Sequence, residues 1–243
     1  HRALDENRLR LRAQRIEPIV PLGETESTLR LHYEVLLCVE DEDGNQIPPV
    51  EFINAAEKYN RMQIVDRWVI NTVFRWMQKN PAKLESFGGF SINLSGDSLN
   101  DERLMKFIFE EFRNFEIPRN KICFEVTETV AITNIADAAD FIEEMKNIGC
   151  EFSLDDFGSG MSSYTYLKNL PVDYIKIDGA FVKGIATDAN DFSMVKSITE
   201  MGHLMGKKVV AEFVENEAIL EKLREIGVDY AQGYGIEKPR WIF

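Results

Sequence analysis

The sequence predicts an α/β protein, a TIM-type (β/α)8 barrel in a single domain, and three observations predict it. Short β-rich segments alternate with longer segments of helical periodicity, eight strand-like segments fit within 243 residues, and nearly every one carries a polar or charged side chain at its end. Strands alternating with helices pair in parallel through βαβ crossovers, and eight of them in this length close into a barrel rather than an open sheet. A doubly wound sheet that bound a dinucleotide cofactor would need a glycine-rich phosphate loop after its first strand, and none is present.

The elements follow in order. Strands are predicted over Arg10–Ile16 and Tyr33–Val39, then a helix over Val65–Lys79, a strand over Phe90–Ser95 and a helix over Asp101–Glu111. Next come a strand over Ile122–Glu128, a helix over Ala136–Ile148, and strands over Glu151–Asp155 and Tyr174–Asp178. A helix over Asp191–Met205, a strand over Lys208–Val214, a helix over Glu217–Ile226 and a strand over Asp229–Gly235 complete the pattern. The helices rest on apolar residues at three- and four-residue steps, as in Phe141, Met145 and Ile148. Glycine marks two helix exits, Ile148-Gly149 and Ile226-Gly227. The first residues, from His1 to Arg8, are polar and read as helical rather than as a signal peptide. No linker composition divides residues 1–243, and a chain that opens on His rather than Met reads as one domain excised from a larger multidomain protein.

Composition narrows the function. The net charge is −13, the wrong sign for neutralising the phosphates of a nucleic-acid polymer. A phosphate-ester ligand would need a bound divalent cation to invert the local charge. No run of 18 apolar residues suggests a membrane span, so no membrane contact is expected within this segment. Cys38, Cys123 and Cys150 are odd in number and lack C-x-x-C spacing, which suits a cytoplasmic domain, with any membrane anchor lying elsewhere in the full-length protein. With only His1, His32 and His203, a histidine- or thiolate-built metal site is poorly supplied.

In a TIM barrel the chemistry sits at the C-terminal strand ends. There the sequence offers Glu34, Asn93, Glu125, Glu128, the doublet Asp155-Asp156, Lys176 with Asp178, Glu212 with Glu215, and Gln232. Any one of these could be a structural ion pair. Together they form an oxygen-rich cage, and carboxylate and amide oxygens without His or Cys select Mg²⁺ or Mn²⁺. The doublet is the most informative feature. Neighbours within a strand face opposite ways, but where the pleat breaks at a strand end both aspartates can face one cavity, and one can bridge two ions about 3.5–4 Å apart. Gly158 and Gly160 follow, giving a loop able to close over ligand. Lys176 can orient an attacking water and offset transition-state charge, or act as a salt-bridge partner holding Asp155 or Glu212; the roles are compatible.

These same residues carry a resemblance to the EAL domain over essentially the whole chain. The matching stretches are Tyr33-Glu34-Val35-Leu36-Leu37, Asn93-Leu94-Ser95, Glu125-Val126-Thr127-Glu128 and Asp155 through Ser163. They continue with Leu170 through Asp178, Ala211-Glu212-Phe213-Val214-Glu215 and Gln232-Gly233-Tyr234. The resemblance implies a hydrolase, a c-di-GMP phosphodiesterase that opens one phosphodiester to linear pGpG with two Mg²⁺ or Mn²⁺ ions, Ca²⁺ being inhibitory. It implies that Glu34, Asn93, Glu125 and Asp155 bind metal, that Asp156 holds the second ion, and that Lys176 positions the nucleophilic water. Glu212 is then a metal ligand or general base, and Gln232 supports the site. Glu128 would anchor the loop Asp156–Ser163, with Glu215 and Asp178 ordering the site from behind. Gln14, Leu36 and Cys38 would lie on the substrate side. The resemblance further implies a homodimer and fused sensory or GGDEF domains.

Two departures stand out. The family strand reads E-A-L-L-R or E-V-L-L-R, and here Cys38 takes the place of the arginine, which resembles a phosphate contact; Cys38→Arg is expected to tighten substrate binding unless Arg10, Arg12 or Arg15 already fills that role. The family E-G-V-E reads Glu212-Phe213-Val214-Glu215, and Phe213 is expected to point into the helical layer as a packing change. Competing readings are a non-catalytic c-di-GMP receptor and an enolase-type metal-dependent lyase, but the latter accounts for neither Asn93 nor the doublet loop.

Overall fold

In the computed structural model, which describes residues 8–21, 23–99, 101–158 and 164–242, eight strands close on themselves. In chain order the strands are β1 (Leu9–Pro18), β2 (His32–Glu40), β3 (Gln46–Ile47), β4 (Phe90–Asn93) and β5 (Ile122–Thr127). They continue with β6 (Glu151–Phe157), β7 (Tyr174–Ile177), β8 (Lys208–Ala211), β9 (Tyr230–Gln232) and β10 (Arg240–Trp241). The circuit runs β1-β2-β4-β5-β6-β7-β8-β9 and closes because β1 pairs with both β2 and β9. The two-residue strands β3 and β10 add to β2 and β1 outside it.

The eight expected strands are all present, but the all-parallel expectation is corrected. From β2 to β9 each neighbour is parallel, whereas β1 runs antiparallel to both β2 and β9. The physical reason lies in the connection. A parallel crossover needs a helix to carry the chain back along the sheet, and no helix separates β1 from β2 among the described residues. The chain instead folds back on itself, in register from Leu9↔Val39 to Ile16↔His32.

The five expected helices occur at Met62–Lys79, Glu102–Asn114, Ile135–Asn147, Ala189–Leu204 and Glu217–Ile226, and a further one spans Pro49–Lys58. Their ends have local causes. Asp101, Asn134, Asp188 and Asn216 each accept a backbone N–H as N-cap. Gly227 ends the last helix in the left-handed region at φ 89°. The expectation of a helix over the first residues lies outside the described residues, apart from Arg8.

Alternation along each strand separates two environments. One set, including Phe124, Val126, Phe152, Leu154, Ile175, Ile177 and Val209, packs outward against Phe74, Ile142, Met145, Val195, Ile198 and Leu223 of the helices. Burying a side chain of this size contributes about 1.5–3 kcal/mol, so this layer is the main source of stability. The other set points into the barrel. At its lower end Ile16, Cys123, Tyr174, Val210 and Tyr230 form a separate apolar cluster. Two residues further along the same strands come Glu125, Lys176, Glu212 and Gln232.

Candidate active site

Each strand reaches the upper rim by a different local device. Residue β4 ends on is Asn93, and the backbone N–H of Ser95 and the hydroxyls of Ser95 and Ser98 converge on Asp66 of the helix Met62–Lys79. β5 ends at Thr127, which caps the short helix Glu128–Thr133, so Glu128 is a helical residue rather than the expected strand end. In β6 the register with β7 shifts between Leu154 and Phe157, and Asp156 adopts φ 54°. The pleat breaks at the doublet, inside the strand rather than at the strand end that was expected, and oxygens of Asp155, Asp156 and Glu212 come within 4.8 Å of one another. β8 ends at Ala211, so Glu212 is reached just beyond the strand.

Lys176 stands at the centre. Its side chain is fully buried, and Nζ lies 3.1 Å from Glu34 Oε2, 3.0 Å from Glu125 Oε2, 3.3 Å from Asp155 Oδ1 and 3.0 Å from Glu212 Oε1. Glu34 is fixed from two further sides: Asn93 Nδ2 donates to Oε1 at 2.7 Å and Gln232 Nε2 to Oε2 at 2.6 Å. Gln232 also donates to Gln14 Oε1 at 3.2 Å, so the antiparallel β1 enters the same network. Eight of the expected residues, on eight different strands or strand ends, thus meet in one chain of contacts.

The electrostatics follow from crowding. Burial raises the Glu125 carboxyl to about 8 although Lys176 opposes it, and burial likewise holds Glu212 well above the usual range. Asp156 is raised by burial and by the charge of Asp155. Burial would raise Glu34 too, but Lys176 and the Gln232 and Asn93 hydrogen bonds bring it below the ordinary value. Burial alone would lower Lys176, yet the carboxylates of Asp155, Glu125, Glu212 and Glu34 raise it well above its ordinary value. Fully ionised, the five carboxylates would exceed the one ammonium by about four negative charges, which is the charge of two divalent cations.

The donor set fits such ions. Two triads, Glu34 with Glu125 and Asp155, and Asp155 with Asp156 and Glu212, each gather their oxygens within 4.8 Å and share Asp155. Asp155 Oδ1 is buried and accepts no hydrogen bond, even with the ammonium facing it. Every donor is a hard oxygen. The acidic clusters can therefore hold metal.

Around the cage the placements vary. Glu128 is buried and receives Gly158 N at 2.8 Å and the Tyr166 hydroxyl, one contact on each side of the loop it was expected to anchor. Residues 159–163 of that loop, including Gly160, lie outside the described residues. Asp178 caps the short helix Gly179–Val182 by accepting Ala180 N at 2.8 Å, and touches none of the described cage residues. Glu215 is exposed and has no hydrogen-bond partner among the described residues, so the expectation that it orders the cage has no contact behind it.

Phe213 requires a correction. It is 53% exposed rather than inserted in the helical layer, its ring lies against Gly179, and Lys183 Nζ sits 4.5 Å above it. Its φ is 54°, a conformation that a glycine adopts freely and a phenylalanine does not. The replacement at this position is a backbone change as well as a packing change.

Leu36 and Cys38 lie along the same face of β2 as Glu34, and with Arg12 and Asn93 they line a cleft of about 560 Å³. Among the described residues Cys38 Sγ hydrogen-bonds only to Leu36 O, at 3.9 Å, and burial raises its thiol above the ordinary value. Sequence reasoning missed Asp66 and Tyr166. Asp66 had a signal: it falls on the apolar stripe of its helix between Met62 and Val69, where a lone acid has to find partners inside. Tyr166 had none, because nothing in the spacing between them foretells its contact with Glu128.

The chain was compared with known proteins. The model of the EAL domain family matches residues 1–239. Among curated proteins the chain is similar to the cyclic di-GMP phosphodiesterase PdeB of Shewanella oneidensis, 44% identical over 238 residues, which are 98% of this chain and 27% of that protein. It is 36% identical over 210 residues to the cyclic di-GMP phosphodiesterase PdeF of Escherichia coli, covering 86% of this chain and 28% of that protein. The chain therefore spans little more than a quarter of the length of these relatives. Among solved structures, the PaMucR phosphodiesterase in complex with c-di-GMP superposes with a TM-score of 0.89 at 29% identity, over 99% of this chain and 95% of that one. The FimX EAL domain of Pseudomonas aeruginosa bound to c-di-GMP superposes with a TM-score of 0.86 at 27% identity, over 98% of this chain and 93% of that one.

Proposed function

Because the chain belongs to the EAL domain family, we propose that it is a c-di-GMP phosphodiesterase, a hydrolase that opens one phosphodiester of the cyclic dinucleotide to give linear pGpG. The observation that carries this reading is the complete cage: two acid triads sharing Asp155, gathered around a buried lysine. Glu34, Glu125 and Asp155, with Asn93, would hold one divalent ion, and Asp155, Asp156 and Glu212 a second. Mg²⁺ and Mn²⁺ are the ions this oxygen set selects. Such ions, when bound, acidify water and offset charge on phosphoryl oxygens.

The protein's own groups do the rest. Lys176, held by four carboxylates, orients the attacking water and opposes the charge that builds at phosphorus. Glu212 lies beside Lys176 just past the end of β8 and accepts the proton that water gives up as its oxygen bonds to phosphorus. The bond from phosphorus to the ribose 3′ oxygen breaks, and that oxygen takes up the proton that Glu212 gives back through solvent, leaving a 3′-hydroxyl and a 5′-phosphate on pGpG. Gln14 and Gln232 keep Glu34 aimed at the cage. We further propose that the active form is a homodimer and that sensory or GGDEF domains flank this one in the full-length protein. No helix among the described residues is long and apolar enough to cross a membrane.

The test is direct: incubate the chain with c-di-GMP and Mg²⁺ or Mn²⁺ and separate the products by chromatography. pGpG should form, EDTA should abolish it without altering the circular dichroism, and Ca²⁺ should bind yet support little turnover because its looser coordination relaxes the in-line geometry. Equal rates with and without chelator, or binding without conversion in Mn²⁺, would defeat the reading.

A further inference from the structure

Arg12 carries chemistry that the cage does not use. It lies on β1 two residues before Gln14 and pairs across the ladder with Leu36. Paired and alternate residues share a face, so Gln14, Arg12 and Arg10 form one column and Glu34, Leu36 and Cys38 the adjacent one. Both columns start at the cage, where Gln232 joins Gln14 to Glu34, and climb away by about 7 Å for each two residues. Arg12 is the first step beyond the cage, in the cleft it shares with Leu36, Cys38 and Asn93.

The state of its guanidinium is unusual for a chain of net charge −13. Nε is buried without a hydrogen-bond partner, and among the described residues no carboxylate pairs with the group. Native structures seldom leave such a donor unmet, so a water, an ion or a ligand is expected to complete it. The face of the guanidinium is occupied instead: Trp241, brought opposite by the β1–β10 register, stacks with its ring centroid 4.2 Å from Cζ. Stacking fixes the plane and leaves the edge donors free, which is how an arginine is pre-organised to grip two oxygens of a planar or tetrahedral anion. Arg10, by contrast, is engaged by Glu40 at 4.0 Å.

We propose that Arg12 binds the second phosphodiester of c-di-GMP, the one the cage does not hold. The inference rests on the phosphodiesterase reading above. A cyclic dinucleotide carries both phosphodiesters in one ring, so with one at the acids the other lies within a ring's width, along the column that Arg12 begins. The same contact accounts for a substrate-facing strand that carries a neutral thiol at Cys38.

KM and kcat for Mn²⁺-supported hydrolysis, with Kd for c-di-GMP in Ca²⁺, decide it. Arg12→Ala should raise KM and Kd by about 10- to 150-fold and lower kcat by less than about threefold, with Mn²⁺ affinity as in the parent. Arg12→Lys, which keeps charge and bulk but not the fork, should fall between the two, and covers the case in which the alanine variant fails to fold. Adding Cys38→Arg to Arg12→Ala should recover most of the lost affinity. An Arg12→Ala KM within about twofold of the parent, or a fall in kcat with KM intact, overturns the proposal. A parent that neither binds nor converts c-di-GMP sinks the underlying activity, whereas an active parent with an indifferent Arg12 sinks this inference alone.

Discussion

The two ends of the barrel are built on opposite rules, although the same strands make both. Cys123 gives way to Glu125 two residues later, Tyr174 to Lys176, Val210 to Glu212 and Tyr230 to Gln232. Below, apolar rings close on one another: His32 packs edge-on against Tyr174 and Tyr230 at 5.8 and 5.6 Å, and the strands there are regular. Above, buried carboxylates crowd around the single ammonium of Lys176, and the backbone leaves the β region at Asp156 and Phe213. The lower end is stable by itself. The upper end is stable only as a set, and that dependence leaves it open to ions and substrate.

Removing the central cation should break this contrast most severely. Lys176→Ala leaves Glu34, Glu125, Asp155 and Glu212 facing one another, and removes the donor aimed at the attacking water. We expect kcat to fall about 10³-fold, the range for losing one preorganised charge-stabilising group, while Kd for c-di-GMP in Ca²⁺ shifts less than about tenfold. If KM alone rises, lysine contacts the ground state and the transition-state role assigned to it is wrong.

The lower end should answer to protons instead. Burial, helped by the charges of Lys208 and Lys121, lowers His32 from 6.5 to about 4. The unfolded chain therefore takes up a proton near pH 6.5 that the folded chain refuses until about pH 4, so stability drops as pH falls through that window. The full difference is about 3 kcal/mol. His32→Phe should flatten this part of the urea-unfolding profile and leave kcat at neutral pH unchanged. A slope identical to that of the parent would show that His32 stays solvated.

Most of the architecture was legible because it rests on periodicity. Strand and helix positions follow from the spacing of apolar residues, and the cage followed from acids interrupting those runs. Direction is invisible to such a pattern. β1 reads like any other strand, and the missing helix between Ile16 and Tyr33 was the one sign that it turns back. The short β3 and β10 carry two residues each, too few to show a period. Phe213 was misplaced because strict alternation was carried past Ala211, where the strand has already ended.

That misplacement leads to a smaller effect at the upper rim. A left-handed conformation costs an ordinary residue about 1–2 kcal/mol, and glycine avoids it but loses about 0.5–1 kcal/mol through its freer unfolded chain. Phe213→Gly also forfeits the ring's contacts with Gly179 and Lys183. The balance should be a gain below about 1 kcal/mol in denaturant unfolding, with kcat within twofold of the parent. A loss larger than 1 kcal/mol would mean that the ring's packing outweighs the backbone strain.

The smallest effect is expected from Cys38→Arg in the otherwise native chain. Cys38 pairs across the ladder with Arg10 and stands diagonally from Arg12, so a third guanidinium would stand beside a column that already holds two. A charge-assisted hydrogen bond to an empty phosphate position would tighten c-di-GMP binding about 10- to 150-fold. With Arg12 already on that phosphate, the newcomer gains only a partly exposed contact, worth about 0.2–1 kcal/mol, against repulsion of similar size from its neighbours. Calorimetry in Ca²⁺ should therefore find Kd within about threefold of the parent, in contrast to the large recovery the same substitution gives when Arg12 is alanine. A tenfold or greater tightening in the native background would show that the phosphate position beside Cys38 is unfilled, and that the guanidinium of Arg12 points its free edge elsewhere.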